Sequence, residues 1–220
     1  MARDHRVRIK SRQDIAKIAM SWWRLATKRG HSFNICEFVL GSLTRHFSAK
    51  GRLEIEFYDR GRDIDDPAYV TFKPLKLHVD RKVWQAAQNG EAYARFILAH
   101  EIGHIVLHDE FALAFSDEEA AQLNYLENIE SAEWQANVFA DYFLVPDHIA
   151  LKLHDTDVVA GLCVVTDDLA KRRLKDAKNS RVVLNPTYVG EMCSECGNFT
   201  LTLNGALIKC DTCESTMACL

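Results

Sequence analysis

The stretch that most restricts this chain is AYARFILAHEIGHIVLH, residues 92–108. Phe96, Ile97, Ile102, Ile105 and Val106 recur at helical spacing, so one face of this helix belongs in a core. The same helix carries His100, Glu101, His104 and His108, which no apolar core accepts without partners. Residues four apart share a helix face, so His100 and His104 can aim their ring nitrogens at one point with Glu101 beside them. Either the histidines are satisfied locally in a core helix, or the helix holds a metal ion. A catalytic zinc takes three protein ligands and keeps one position open, so the second reading requires a third ligand elsewhere.

The downstream segment ESAEWQANVFADYFLVP supplies Glu130, Glu133 and Asp141, with Asp147 just beyond it. Glu133 is the expected ligand, because Asn137 follows it on the same face and can hydrogen-bond a histidine ligand from behind. Glu101 is then placed to take a proton from water on the ion, and His108, one turn past His104, to support the ligands. The charge distribution agrees. From Phe96 to Leu151 there is no Lys or Arg against eleven Asp and Glu, a negative field that a dication would offset.

Cys193-x-x-Cys196 and Cys210-x-x-Cys213 have zinc-ribbon spacing, and four thiolates in a reducing compartment are expected to hold one structural zinc. LTLNGALIK between them reads as a hairpin turning at Asn204-Gly205. So short a module cannot build an adequate core, and the metal is expected to stabilise it. Its surroundings carry Lys209 against Glu191, Glu195, Asp211 and Glu214, a poor surface for phosphates, which favours a structural or docking role.

The fold expected from these patterns is α+β: a mostly helical domain with a few strands over residues 1–184, followed by a four-cysteine zinc ribbon over 185–220. Ser11 reads as the cap of a helix to Gly30, and Ile35–Phe47 as a second helix. Residues 53–59, 68–72 and 75–80 read as strands, and Asp80 as the cap of a short helix. Helices are further expected from Glu91 to about His108, over Ser131–Leu144, and from about Thr166 to Lys178. The N-terminus shows no apolar leader and no run is long enough for a membrane span, so the expected location is the cytoplasm, with no membrane partner.

Basic residues gather elsewhere. Lys171, Arg172, Arg173 and Lys175 crowd one helix, residues 160–180 resemble a short helix-turn-helix piece, and Arg3, Arg6, Arg8, Lys10 and Arg12 form a basic arm. With Trp22 and Trp23 nearby, although Trp22 fits the core face of its helix better, these could form a track for single-stranded DNA acting as an activator. The competing explanation is a solvated helix face. A spare thiol among Cys36, Cys163 and Cys219 could also silence a zinc site.

HEIGHIVLH followed by EWQANVFADYFLVP resembles the ImmA/IrrE metallopeptidases, over roughly residues 10–180. The resemblance implies a zincin-like fold with a small mixed sheet, His100, His104 and Glu133 as zinc ligands and Glu101 as base. It also implies a regulator that cuts a helix-turn-helix repressor and so releases genes of mobile elements, phage defence or the DNA-damage response. Two other functions compete: a non-enzymatic DNA-binding or adaptor protein with structural zinc at both sites, and a toxin-like protease effector.

Overall fold

The computed structural model describes residues 6–27, 30–48, 53–61, 66–108, 128–179, 193–195, 201–204, 207–210 and 215–218. Helix α1 (Arg12–Ala26) begins at a capping box in which Ser11 and Asp14 satisfy each other's backbone N–H, as the sequence predicts. Its buried face, Ile15, Ile18, Ala19 and Trp22, packs on α6 (Ala132–Leu144). The segment expected as one helix over Ile35–Phe47 is interrupted. It runs as α2 (Ile35–Phe38), a π-helical stretch (Val39–Leu43) and α3 (Thr44–Ser48). The Thr44 hydroxyl donates to the Val39 carbonyl five residues back at 2.6 Å, a bond that fits the wider turn.

Strands β1 (Glu54–Tyr58), β2 (Ala68–Phe72) and β3 (Leu75–Asp80) form a mixed sheet in the order β1-β3-β2. β3 runs parallel to β1 and antiparallel to β2, with Val70 opposite Leu77 and Ala68 opposite Val79. Leu77 and Val79 are fully buried, while Lys76 on the other face bridges Glu54 and Glu56. β2 is paired on one side only among the described strands, so it is an edge.

Asp80 accepts the N–H of Lys82 and caps α4 (Arg81–Gln88). Glu91 then caps α5 (Ala92–Leu107), the helix that opened the sequence argument. α5 and α6 pack closely, and Gly103 is the reason. A Cβ there would lie 3.0 Å from both the Cα and the carbonyl oxygen of Ala136, and 3.2 Å from Phe139 Cβ. Only glycine lets the two backbones approach so far.

Helices α7 (Asp147–Leu153) and α8 (Thr156–Cys163) were not legible as separate elements; α9 (Asp167–Asn179) was, with Thr166 capping it. Arg95, 2% exposed, ties the end of α8 and the Phe33 segment to α5: it donates to the carbonyls of Cys163 (2.7 Å), Val164 (2.5 Å) and Phe33 (3.2 Å). Val164 holds a left-handed conformation (φ 54°), unfavourable for a β-branched residue and pinned by that guanidinium.

Near the C-terminus β4 (Leu201–Asn204), β5 (Leu207–Cys210) and β6 (Thr216–Ala218) form an antiparallel sheet in chain order. Cys193, Leu201, Ile208 and Cys210 make its small buried cluster. Cys196, Cys213 and Gly205, where the hairpin was expected to turn, lie outside the described residues. No helix among the described residues is long and apolar enough to cross a membrane.

Candidate metal centre

The site is built where α5 crosses α6. His100 and His104 stand one turn apart on α5, and Glu133 comes from the first turn of α6, whose cap is Ser131. His100 Nε2 lies 3.2 Å from Glu133 Oε2, His104 Nε2 lies 3.3 Å from Glu133 Oε1, and the two Nε2 atoms are 3.0 Å apart. Ligand atoms held tetrahedrally about 2.0–2.1 Å from one zinc stand about 3.3 Å from each other, so this donor set fits such an ion. The same three residues form the candidate ion-holding group found among the described residues. Of the other carboxylates considered from sequence, Glu130 binds Arg6, Asp141 takes both forks of Arg172, and Asp147 pairs with Arg173.

Hydrogen bonds behind the ligands fix the imidazoles. His100 Nδ1–H donates to Asn137 Oδ1 at 3.0 Å, which leaves Nε2 as the lone-pair nitrogen. His104 Nδ1 faces His108 Nδ1 at 3.2 Å, and His108 Nε2 faces Gln135 Oε1 at 3.3 Å. His108 is buried; that burial, with the charges of His104 and Lys10, holds its pKa down to about 3, so it stays neutral.

Burial works against the charge of Glu133, but hydrogen bonds from His100 and His104 overcome it and hold its carboxyl well below the usual range. His100 is raised in turn: burial opposes the proton, while Glu133 and the Glu101 charge favour it. Glu101, 8% exposed, is raised above an ordinary glutamate, first by burial and further by the charges of Glu133 and Asp66, against the lowering pull of His100 and His104. A carboxylate held above its ordinary value beside a candidate ion site suits proton transfer.

These groups open onto a cleft of about 530 Å³. One wall is β2 with Asp66 and Pro67 before it; the other is α5, from Tyr93 and Phe96 to His104. Asp66 was not singled out from sequence, since its place depends on the turn into β2. Tyr142, His108, His148 and His154 do not line this cleft, so none of them is placed to donate to an oxyanion there. Tyr142 lies under Arg173, and His148 packs edge-on against Trp23.

Residues 83–160 match the IrrE N-terminal-like domain, a peptidase family. This stretch, which carries His100, Glu101, His104 and Glu133, is similar to that domain, and the likeness supports a metallopeptidase of the ImmA/IrrE kind. A different likeness covers 32 residues, or 14% of the chain. They are 72% identical to a vitamin B12-dependent ribonucleotide reductase of Bradyrhizobium diazoefficiens and 59% identical to one of Agrobacterium fabrum. The match spans only 3% and 2% of those much longer enzymes. A transcriptional regulator of Mycobacterium tuberculosis superposes with a TM-score of 0.44 at 16% identity, over 76% of this chain and 52% of its own.

Away from this cleft, several expectations need correction. Arg173 cannot serve a nucleic-acid surface: it is fully buried, paired with Asp147, bound to the Val145 carbonyl and stacked 3.6 Å over Tyr142. The helical spacing of α9 explains this, because Arg173 falls on the face shared with Leu169, Ala170 and Ala177. Arg172 is half-exposed but committed to Asp141. Lys171 and Lys175 remain exposed, near the acidic first turn of Asp167 and Asp168. Trp22 is 1% exposed among Phe38, His46 and Phe47 and stacks on no base. Cys36 and Cys163 are buried, and burial, partly offset by Arg95, pushes both thiols up to about 11, so neither is poised as a thiolate switch. Cys219 lies outside the described residues.

Proposed function

We propose that the chain is a cytoplasmic zinc endopeptidase that cleaves a partner helix-turn-helix repressor and thereby switches on a defence, mobile-element or DNA-damage operon. One observation carries the chemistry: two imidazole Nε2 atoms and a carboxylate within 3.3 Å of one another, with Glu101 beside them on an open cleft. The repressor as substrate is supported by the resemblance to ImmA/IrrE regulators. A zinc ion held by His100, His104 and Glu133 supplies Lewis acidity, acidifying water and polarising the scissile carbonyl.

The residues of the chain do the rest. Glu101 takes the proton as water attacks the carbonyl carbon and returns it to the leaving amine. Asn137 and His108 hold the ligand rings in orientation. The edge of β2 along the cleft, unpaired among the described strands, offers backbone groups to an extended substrate segment. An adaptor with purely structural zinc has no use for that cleft or for Glu101 beside it.

The second zinc belongs, in this reading, to Cys193, Cys196, Cys210 and Cys213 in the module over 185–220. It is supported by the burial of Cys193 and Cys210 in one cluster. Single-stranded DNA is the activator we attach to the basic groups that stay exposed, Lys171 and Lys175. A filter-binding assay without salt-sensitive affinity removes it.

The deciding test mixes the intact chain with the helix-turn-helix protein encoded beside it and follows cleavage by mass. Glu101→Gln keeps its zinc and loses cleavage by at least ~100-fold, the scale of a lost general base. If Glu101→Gln cuts as well as the parent, the mechanism is wrong.

A further inference from the structure

We infer that Gln135 is a positioning residue for the metal centre, acting through His108 to fix which nitrogen of His104 carries the lone pair. This rests on the reading of His100, His104 and Glu133 as metal ligands, and extends it to a residue that touches none of them. Gln135 is 0% exposed in the first turn of α6. Its Nε2 group has two hydrogens and two acceptors, the carbonyls of Arg8 at 2.9 Å and Ile129 at 2.7 Å. Both partners can only accept, so the amide cannot be flipped without setting oxygen against oxygen.

The rest follows by donor and acceptor logic. Gln135 Oε1 faces His108 Nε2 and can only accept, so His108 donates from Nε2. A neutral imidazole donating at Nε2 presents a lone pair at Nδ1. His104 Nδ1, 3.2 Å from that lone pair, must therefore donate, which leaves His104 Nε2 unprotonated and aimed at the Nε2 of His100 and at Glu133. The other tautomer of His104, protonated at Nε2, would present a hydrogen where a ligand lone pair is needed.

The chain of bonds ends on backbone in two segments that are themselves tied together. Val7 N donates to the Glu130 carbonyl at 2.8 Å, Lys10 N to that of Ile129 at 3.4 Å, and Arg6 bridges to Ser131. Arg6 also pairs with the Glu130 carboxylate at 2.8 Å. The anchor of the relay is thus the docked N-terminal segment, not a free side chain.

The experiment uses the intact chain, with zinc competition against a chromophoric chelator and His100→Ala as the blank that isolates this site from the cysteines. Gln135→Met should weaken the His100-dependent zinc site about 10–100-fold, the usual effect of losing an outer hydrogen-bond partner. His108→Phe should weaken it comparably, and Gln135→Met should add less than about twofold in the His108→Phe background, since its effect passes through that ring. Unchanged affinity in Gln135→Met, or additive losses in the double variant, overturns the inference. Long-range proton–nitrogen spectra of the zinc-loaded parent require no variant to fold. They should show His104 protonated at Nδ1 and His108 at Nε2, and the opposite pattern overturns the inference. Absence of any His100-dependent zinc in the parent is a separate result: it removes the metal reading itself, and this inference with it.

Discussion

At the scale of single residues, Glu101 and His108 show how one environment drives two groups in useful directions. Burial raises Glu101, and the charges of Glu133 and Asp66 raise it further. In the proposed role it must be ionised to take a proton, so activity should fall as pH drops through its titration. Asp66→Asn removes one of the raising charges, so the acid limb of kcat/KM should move to lower pH, read from pH–rate profiles of the two zinc-loaded proteins. A limb that stays in place shows that Asp66 does not act on Glu101. His108 works with the opposite sign. Its pKa falls to about 3 on folding, so the unfolded chain binds the extra proton between about 6.5 and 3. Stability is therefore full above pH 6.5 and lost as pH falls, by at most about 1.4 kcal/mol per pH unit from this group. Urea unfolding of chelator-treated protein should show that slope, and His108→Phe should flatten it. His100, His104, Glu101 and Glu133 could be named from spacing, because a helix turns that spacing directly into a shared face. Gln135, Asp66 and Arg95 could not, since their partners lie across the chain and nothing local marks them.

At the scale of elements, the crossing of α5 and α6 decides whether the ligands can meet. Gly103 sits between Glu101 and His104, and Ala136 three residues after Glu133, so a close backbone approach falls in the middle of the site. Gly103→Ala gains about 1 kcal/mol of helix propensity, yet its Cβ meets backbone at 3.0 Å, which no side-chain movement relieves. Net destabilisation of about 1–3 kcal/mol is expected from forcing the helices apart. Weaker zinc binding should follow, because Glu133 moves with α6. Denaturation and zinc titration on the same preparation check both, and a fully stable variant with parental affinity contradicts the crossing's role. The long, capped, periodic helices were readable because Ser11, Asp80, Glu91, Ser131 and Thr166 mark their starts. The π-helical stretch at 39–43 was not, since its residues suit an ordinary helix and nothing in their spacing marks the Thr44–Val39 bond that accompanies the wider turn. α7 and α8, seven and eight residues long, were missed because periodicity alone does not separate so short a helix from a loop; α4 is as short, and it was readable from its Asp80 cap.

For the molecule as a whole, a metal held by residues from two helices is also a fastener between them. Zinc at 100 times its dissociation constant adds about 2.7 kcal/mol to the folded state. Chelation should therefore lower the melting temperature, added zinc should restore it, and the change assigned to this site should vanish in His100→Ala. Scanning calorimetry of parent and variant with and without chelator measures this. No His100-dependent difference would mean that the centre holds no metal of consequence. A further consequence follows from β2 lying at the edge of its sheet along the cleft. Backbone pairing with an edge requires an extended segment, and a helical protein offers none until a turn of it has melted. Under the proposed chemistry, then, the rate at which a helical repressor is destroyed is set partly by the repressor's own local opening. Substitutions in that partner which stiffen the cut segment, without touching the peptidase, would lengthen its lifetime.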